Sequence, residues 1–217
     1  MVEILERESK RQKTEKNEVV TMFNSGKSVI ELIAELKDEV DIALEIPYTT
    51  YISWLNSAEQ LLYSEIIKEQ RELTINNPTS PVALNELTVS EEESPIRFED
   101  IHTVYADDVQ LMKSTLASGQ IFPDTFYKHN DGLGFNSPYS TRELKVIYFA
   151  RPKLKTSYEG NVMIPAEFID LIKAKLRGEA YKLVNEDALA GKWLTDYNVL
   201  LENFKAWCSN KASQFGM

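Results

Sequence analysis

The chain has almost no cysteine: Cys208 stands alone among 217 residues. A lone thiol excludes an intramolecular disulfide framework and fits folding in a reducing cytosol. Histidine is nearly as scarce, with only His102 and His129. Asp100, Asp107 and Asp108 lie near in sequence, but without an HExxH or paired-ligand spacing these isolated histidines do not make a metal site. Positive charge is in deficit, Lys and Arg numbering 24 against 34 Asp and Glu. The net charge of -10 disfavours a general nucleic-acid binder, which needs a basic surface to neutralise phosphate. There is no apolar run of the roughly 18 residues that a membrane span requires. The opening MVEILERESKRQK is charged and lacks the apolar core of a secretory signal. Internal repeats and low-complexity tracts are missing too.

Catalytic signatures are incomplete or missing. Ser25-Gly26-Lys27-Ser28 resembles the tail of a phosphate-binding loop, but Thr21 stands where that motif needs glycine and the preceding segment is charged. The same residues serve better as a helix start. The carboxylates at 91–93 and 107–108 read as solvated turns, because nothing apolar brackets them to shift a pKa. Cys208 lies on the apolar side of the last helix and reads as a buried structural thiol. No catalytic residue, metal or cofactor is expected, and the sequence shows no enzyme.

What is present is an ordinary globular composition, 43% hydrophobic and 27% charged, in a chain long enough to bury a sizeable core. The organising stretch is a helix over Pro47–Leu73. Tyr51, Trp54, Leu55, Ala58, Leu61, Leu62 and Ile66 recur there in steps of three and four, and Pro47 suits the first turn. Asn56 sits beside this stripe, where Glu or Lys would serve a plain surface helix better. An Asn there implies a hydrogen bond to the backbone of another segment crossing the helix. Upstream, Ser28 followed by Glu31 forms a capping-box pattern. Val29, Ile30, Leu32, Ile33, Leu36 and Val40 then give an apolar face, and Asp38, Glu39 and Asp41 keep this helix short.

Beyond Leu73 the helical period stops. Strands are expected at 82–89, 96–105, 122–129 and 144–150, the last being rich in β-branched and aromatic residues. Asn130-Asp131-Gly132 marks a tight hairpin. From Ile164 two helices follow. Phe168, Ile169, Ile172, Leu176, Ala180 and Leu183 form the face of the first, and Trp193, Leu194, Tyr197, Leu200, Leu201, Phe204 and Trp207 that of the second. The expected fold class is therefore α+β. A helical core, made of an N-terminal and a C-terminal helix pair, carries a small antiparallel β module inserted between them. The expected divisions are a charged arm over 1–27, helices over 28–78, the β module over 79–152, helices over 153–208 and a tail over 209–217. Trp54 and Trp193 are expected to be buried close together.

Three features in this order resemble the head–tail connector proteins of tailed bacteriophages, the adaptor rings that bind the portal. The first is WLNSAEQLLYSEI, similar to the family's Trp-Leu-Asn-x-Ala pattern through Trp54, Leu55, Asn56 and Ala58. The second is LKVIYFARP, a strand closing on Arg151 and Pro152. The third is the Pro-led helix, short break and W-x-x-x-Y helix, carried by Pro165, Phe168, Trp193 and Tyr197. The resemblance implies a structural protein of the virion neck, assembled in the host cytoplasm as a closed ring of about twelve copies. It implies contacts with the portal protein and with downstream tail or ring proteins. Genomic DNA would pass through the channel without sequence-specific binding, and no membrane is involved. Arg151 and Phe215 are the candidate partner contacts, Phe215 as an aromatic anchor in the terminal tail. One alternative is a monomeric or dimeric phage or host interaction module that forms no ring, and a second is an enzyme with an unrecognised site in the β module.

Overall fold

Ser28 opens the first helix as its capping pattern predicts. Its backbone N–H donates to Glu31 Oε2 at 3.2 Å, and the Glu31 N–H donates back to Ser28 Oγ at 3.3 Å. Helix α1 (Val29–Glu39) then buries Val29, Leu32, Ile33 and Leu36. The computed structural model of the protein describes residues 25–39, 46–87, 93–115, 122–130, 132–137 and 140–215, without the side chains of 86 and 211–215. The expected charged arm falls almost wholly outside these residues. The chain divides into two compact units, one formed by the sequence before 62 and after 154, the other by Leu62–Leu154.

The first unit is helical. Helix α2 (Tyr48–Leu62) follows Pro47 and is shorter than expected. It buries Tyr51, Ile52, Leu55, Ala58 and Glu59, while Leu61 is exposed. The buried face is thus turned away from Leu61 toward a polar residue that the apolar stripe did not include. Helices α3 (Ile169–Leu183) and α4 (Asp187–Phe215) form an antiparallel hairpin. On the 29-residue α4, the buried residues Ala190, Tyr197 and Phe204 repeat every seven residues, a narrow coiled-coil-like seam. Gly178 on α3 allows the close approach, because a Cβ there would stand 2.9 Å from Leu194 Cδ2. Phe168 closes the open end, edge-on to Phe204 at 4.8 Å and to Trp207 at 5.4 Å.

The second unit overturns the expectation of a small antiparallel module in a helical core. It is a large, mixed, seven-stranded sheet curled into a half-barrel, ordered β1-β7-β3-β4-β5-β6-β2. The strands are β1 (Gln70–Asn76), β2 (Val82–Ala83), β3 (Ile101–Ala106), β4 (Val109–Lys113), β5 (Thr125–His129), β6 (Gly132–Asn136) and β7 (Glu143–Phe149). The pairing of β4 with β5 is parallel, and every other pairing is antiparallel. Two strands arise where none was expected. Helix α2 passes into a π-turn (Tyr63–Ile67) and stops at Lys68, whose φ of 48° is left-handed. The residues read as its tail then become β1. Asp107 and Asp108, at φ 47° and 66°, make the two-residue turn from β3 into β4. The curl wraps one core of Val104, Leu111, Phe126, Leu133, Leu144, Val146 and Tyr148.

Candidate functional site

Asn56 does what its position foretold. Its Nδ2 donates to the Lys155 carbonyl at 2.8 Å, and its Oδ1 accepts the Lys155 N–H at 2.8 Å. One turn along α2, Glu59 is 1% exposed. It accepts the Met163 N–H at 2.8 Å on Oε1 and pairs with Lys155 Nζ through Oε2. Burial pushes this carboxyl up while Lys155 and Met163 oppose the shift. Together Asn56 and Glu59 clip the returning segment 155–163 onto α2. That segment leads into Pro165, the turn Ala166–Phe168 and α3. Asn56 was legible from its misfit in the stripe. Glu59 gave no such signal, since a glutamate on a helix is ordinary.

The sheet unit holds a second buried polar group. Glu93 is 8% exposed and accepts the Tyr148 hydroxyl on Oε2 at 3.0 Å. Arg71 reaches Glu69 at 2.5 Å and Glu93 at 3.4 Å. Arg71 Nε and Glu93 Oε1 are buried without a hydrogen-bond partner. Burial pushes the Glu69 carboxyl up, with Arg71 opposing, and it pushes the Tyr148 hydroxyl far up. The expectation of a solvated run at 91–93 is therefore corrected at Glu93. Its backbone bridges Pro152, and the next N–H, of Ser94, donates to the Arg151 carbonyl at 2.9 Å. An acidic run carries no mark distinguishing the residue that turns inward.

Arg151 is 7% exposed, and its guanidinium is held by Asp100 through Nε at 2.9 Å and NH2 at 2.8 Å. It braces the strand end from inside and offers no cation to the surface. Phe215 ends α4, and its side chain is outside the described residues. Trp54 and Trp193 are half-buried, against the expectation of two buried indoles. Trp54 stands edge-on to Tyr51 at 5.5 Å, and Trp193 lies under the Arg177 guanidinium at 4.4 Å. Both flank buried seams whose centres are smaller side chains. Tyr197 is buried, with its hydroxyl unpartnered. Cys208 is half-buried, and burial pushes its thiol up to about 11, so it is a poor nucleophile.

His102 and His129 are exposed and stand beside Phe149 and Tyr127. Among the described residues no group of three or more His, Cys, Asp or Glu side chains could hold a metal ion. No described helix is long and apolar enough to cross a membrane. Lys27, in the phosphate-loop-like stretch, pairs with Glu35, which Lys173 also holds at 2.7 Å. The sheet unit has an open cleft of about 520 Å³, lined by Ile96, Arg97, Phe98, Glu99, Lys128 and Leu154 among others. Lys128 there is tied to Glu99 at 2.5 Å, and the Ser94 hydroxyl, also in the lining, donates to the Pro152 carbonyl at 2.8 Å. No family model and no curated protein matches the chain.

Proposed function

We propose that the protein is a non-enzymatic structural component of the virion neck, a subunit of the adaptor ring between portal and tail. The ring extends the DNA channel and provides the tail attachment site. One observation carries this reading. Two of the stretches that resemble the connector family lie more than a hundred residues apart, yet they belong to one helical unit. The Asn56 and Glu59 clip ties the Trp-Leu-Asn-x-Ala helix to the chain leading into Pro165, Phe168 and the α3–α4 hairpin. Lateral contacts are favoured by large apolar side chains left on the outside of α4, Leu189 and Val199. The net charge of -10 suits a channel wall along which DNA slides without sticking.

Electron microscopy of portal-bearing heads mixed with the purified protein tests the reading. A ring seated on the portal is expected. Heads that stay bare, with the protein's mass in solution unchanged by portal, would overturn it. Deleting residues 209–217 is expected to leave melting unchanged and to abolish attachment. Attachment at full affinity would move the docking role to the N-terminal arm.

A further inference from the structure

Strand β1 is the last strand at one end of the sheet. The Glu69 carbonyl accepts from Ala150 N at 2.8 Å, and Asn77 N donates to the Arg142 carbonyl at 2.7 Å. With Gln70 opposite Phe149 and Asn76 opposite Glu143, the backbone groups of Arg71, Leu73 and Ile75 therefore turn toward β7. Those of Gln70, Glu72, Thr74 and Asn76 turn outward, and no strand or loop pairs with them among the described residues. The other end of the sheet is protected, because β2 is only two residues long and comes just after Pro78 and Pro81. Strand β1 is seven residues long and has no proline, glycine or bulge. Such an edge is a template for another strand.

We propose that β1 is a self-association edge, where a second copy of this chain adds its own β1 antiparallel about a two-fold axis through Leu73. In that register Gln70 faces Asn76 and Glu72 faces Thr74 of the second copy. Every outward N–H and carbonyl of one strand then meets its counterpart on the other. Leu73 meets Leu73, which covers residues that are only half-buried on the edge of the core, Leu73 and Ile75. No like charges stand directly opposite. Sliding one strand by two residues sets Glu72 against Glu72 in one direction. In the other it sets Gln70 against Pro78, which has no N–H. The side chains thus select one register. This contact joins copies in twos without portal, so it goes beyond the ring reading and is tested apart from it.

The test is sedimentation equilibrium of the purified full chain across a wide concentration range, beside three variants. The wild type should be a reversible dimer. Thr74→Pro removes an outward N–H that β7 does not use, so it should give a folded monomer. Thr74→Lys, placing Lys opposite Glu72, should tighten the dimer several-fold, and Thr74→Glu should loosen it several-fold. A monomer at every concentration would overturn the proposal. So would a dimer that survives Thr74→Pro, or one that Lys and Glu at this position shift in the same direction. If Thr74→Pro fails to fold, the Lys and Glu pair decides. A monomer that still forms rings on portal would overturn the edge contact and leave the ring reading standing.

Discussion

The helical unit and the sheet unit both bury carboxylates, and they treat them differently. In the helical unit each Glu59 oxygen has its own donor, one from Lys155 and one from the Met163 backbone. The sheet unit sets Glu69 and Glu93 around a single guanidinium, and leaves Glu93 Oε1 and Arg71 Nε without hydrogen bonds. The first arrangement sets one carboxyl against one ammonium, whereas the second sets two carboxyls against one guanidinium. A buried ion stabilises a fold only when its partners complete its hydrogen bonding. The helical unit meets that condition with a backbone donor, which cannot swing away. The sheet unit relies on side chains, the Arg71 guanidinium shared between two acids and the Tyr148 hydroxyl on Glu93.

The widest test of this difference is Arg71→Ala, which strips the countercharge from both Glu69 and Glu93. It should cost ~3–5 kcal/mol in urea unfolding. Burial already raises the Glu69 carboxyl, so loss of the guanidinium should raise it further. A folded carboxyl with a raised pKa gains stability as pH falls, so the deficit should shrink from pH 8 to pH 5. A deficit independent of pH would break the comparison. Next is Glu59→Gln, which keeps an acceptor for Met163 but leaves the Lys155 ammonium buried without its countercharge. A loss of ~1.5–3 kcal/mol is expected in the same assay. Asn56→Ala removes both hydrogen bonds to Lys155 and should cost ~1–3 kcal/mol, with faster amide exchange confined to 155–163.

The smallest effect belongs to the surface. Lys173 and Lys27 hold the Glu35 carboxyl down to about 2. A depressed carboxylate pKa gives stability that is present above the unfolded value of 4.5 and lost as pH falls toward 2. The group is 40% exposed, which screens the pair, so Glu35→Gln should cost only ~0.5–1 kcal/mol at pH 7 and nothing near pH 2. An equal cost at both pH values would show that packing, and not charge, holds Glu35.

What could be read from the sequence was what local chemistry decides. The Ser28–Glu31 box, the turn at Asn130, strand β7 and the hydrogen-bonding role of Asn56 each follow from a residue that suits one environment and misfits others. Strand β1 was hidden because Gln70, Arg71, Glu72 and Leu73 are good helix formers placed directly after a helix. The stop at Lys68 uses no glycine, so nothing in the sequence announces a left-handed residue. Strand β4 buries only Leu111 and shows no alternation to find. The inward turn of Glu93 depends on Tyr148 and Arg71, which come from other strands. The candidate site was legible only where one residue broke a pattern. The size of the sheet was not legible, because strand order is set by pairings between segments far apart in sequence.

The hydrogen bond from Ala150 to Glu69 places the two ends of the sheet unit side by side at one end of β1 and β7. Tension applied through those ends would not pull the strands lengthwise past each other. Once the ties of Arg151 and Pro152 to Glu93, Ser94 and Asp100 gave way, it would open them like a zipper, parting one backbone pair at a time from Glu69 onward. A sheet attached in this way resists heat with its whole core but resists pulling with only its first few hydrogen bonds. Its mechanical strength and its thermal strength are therefore separate properties.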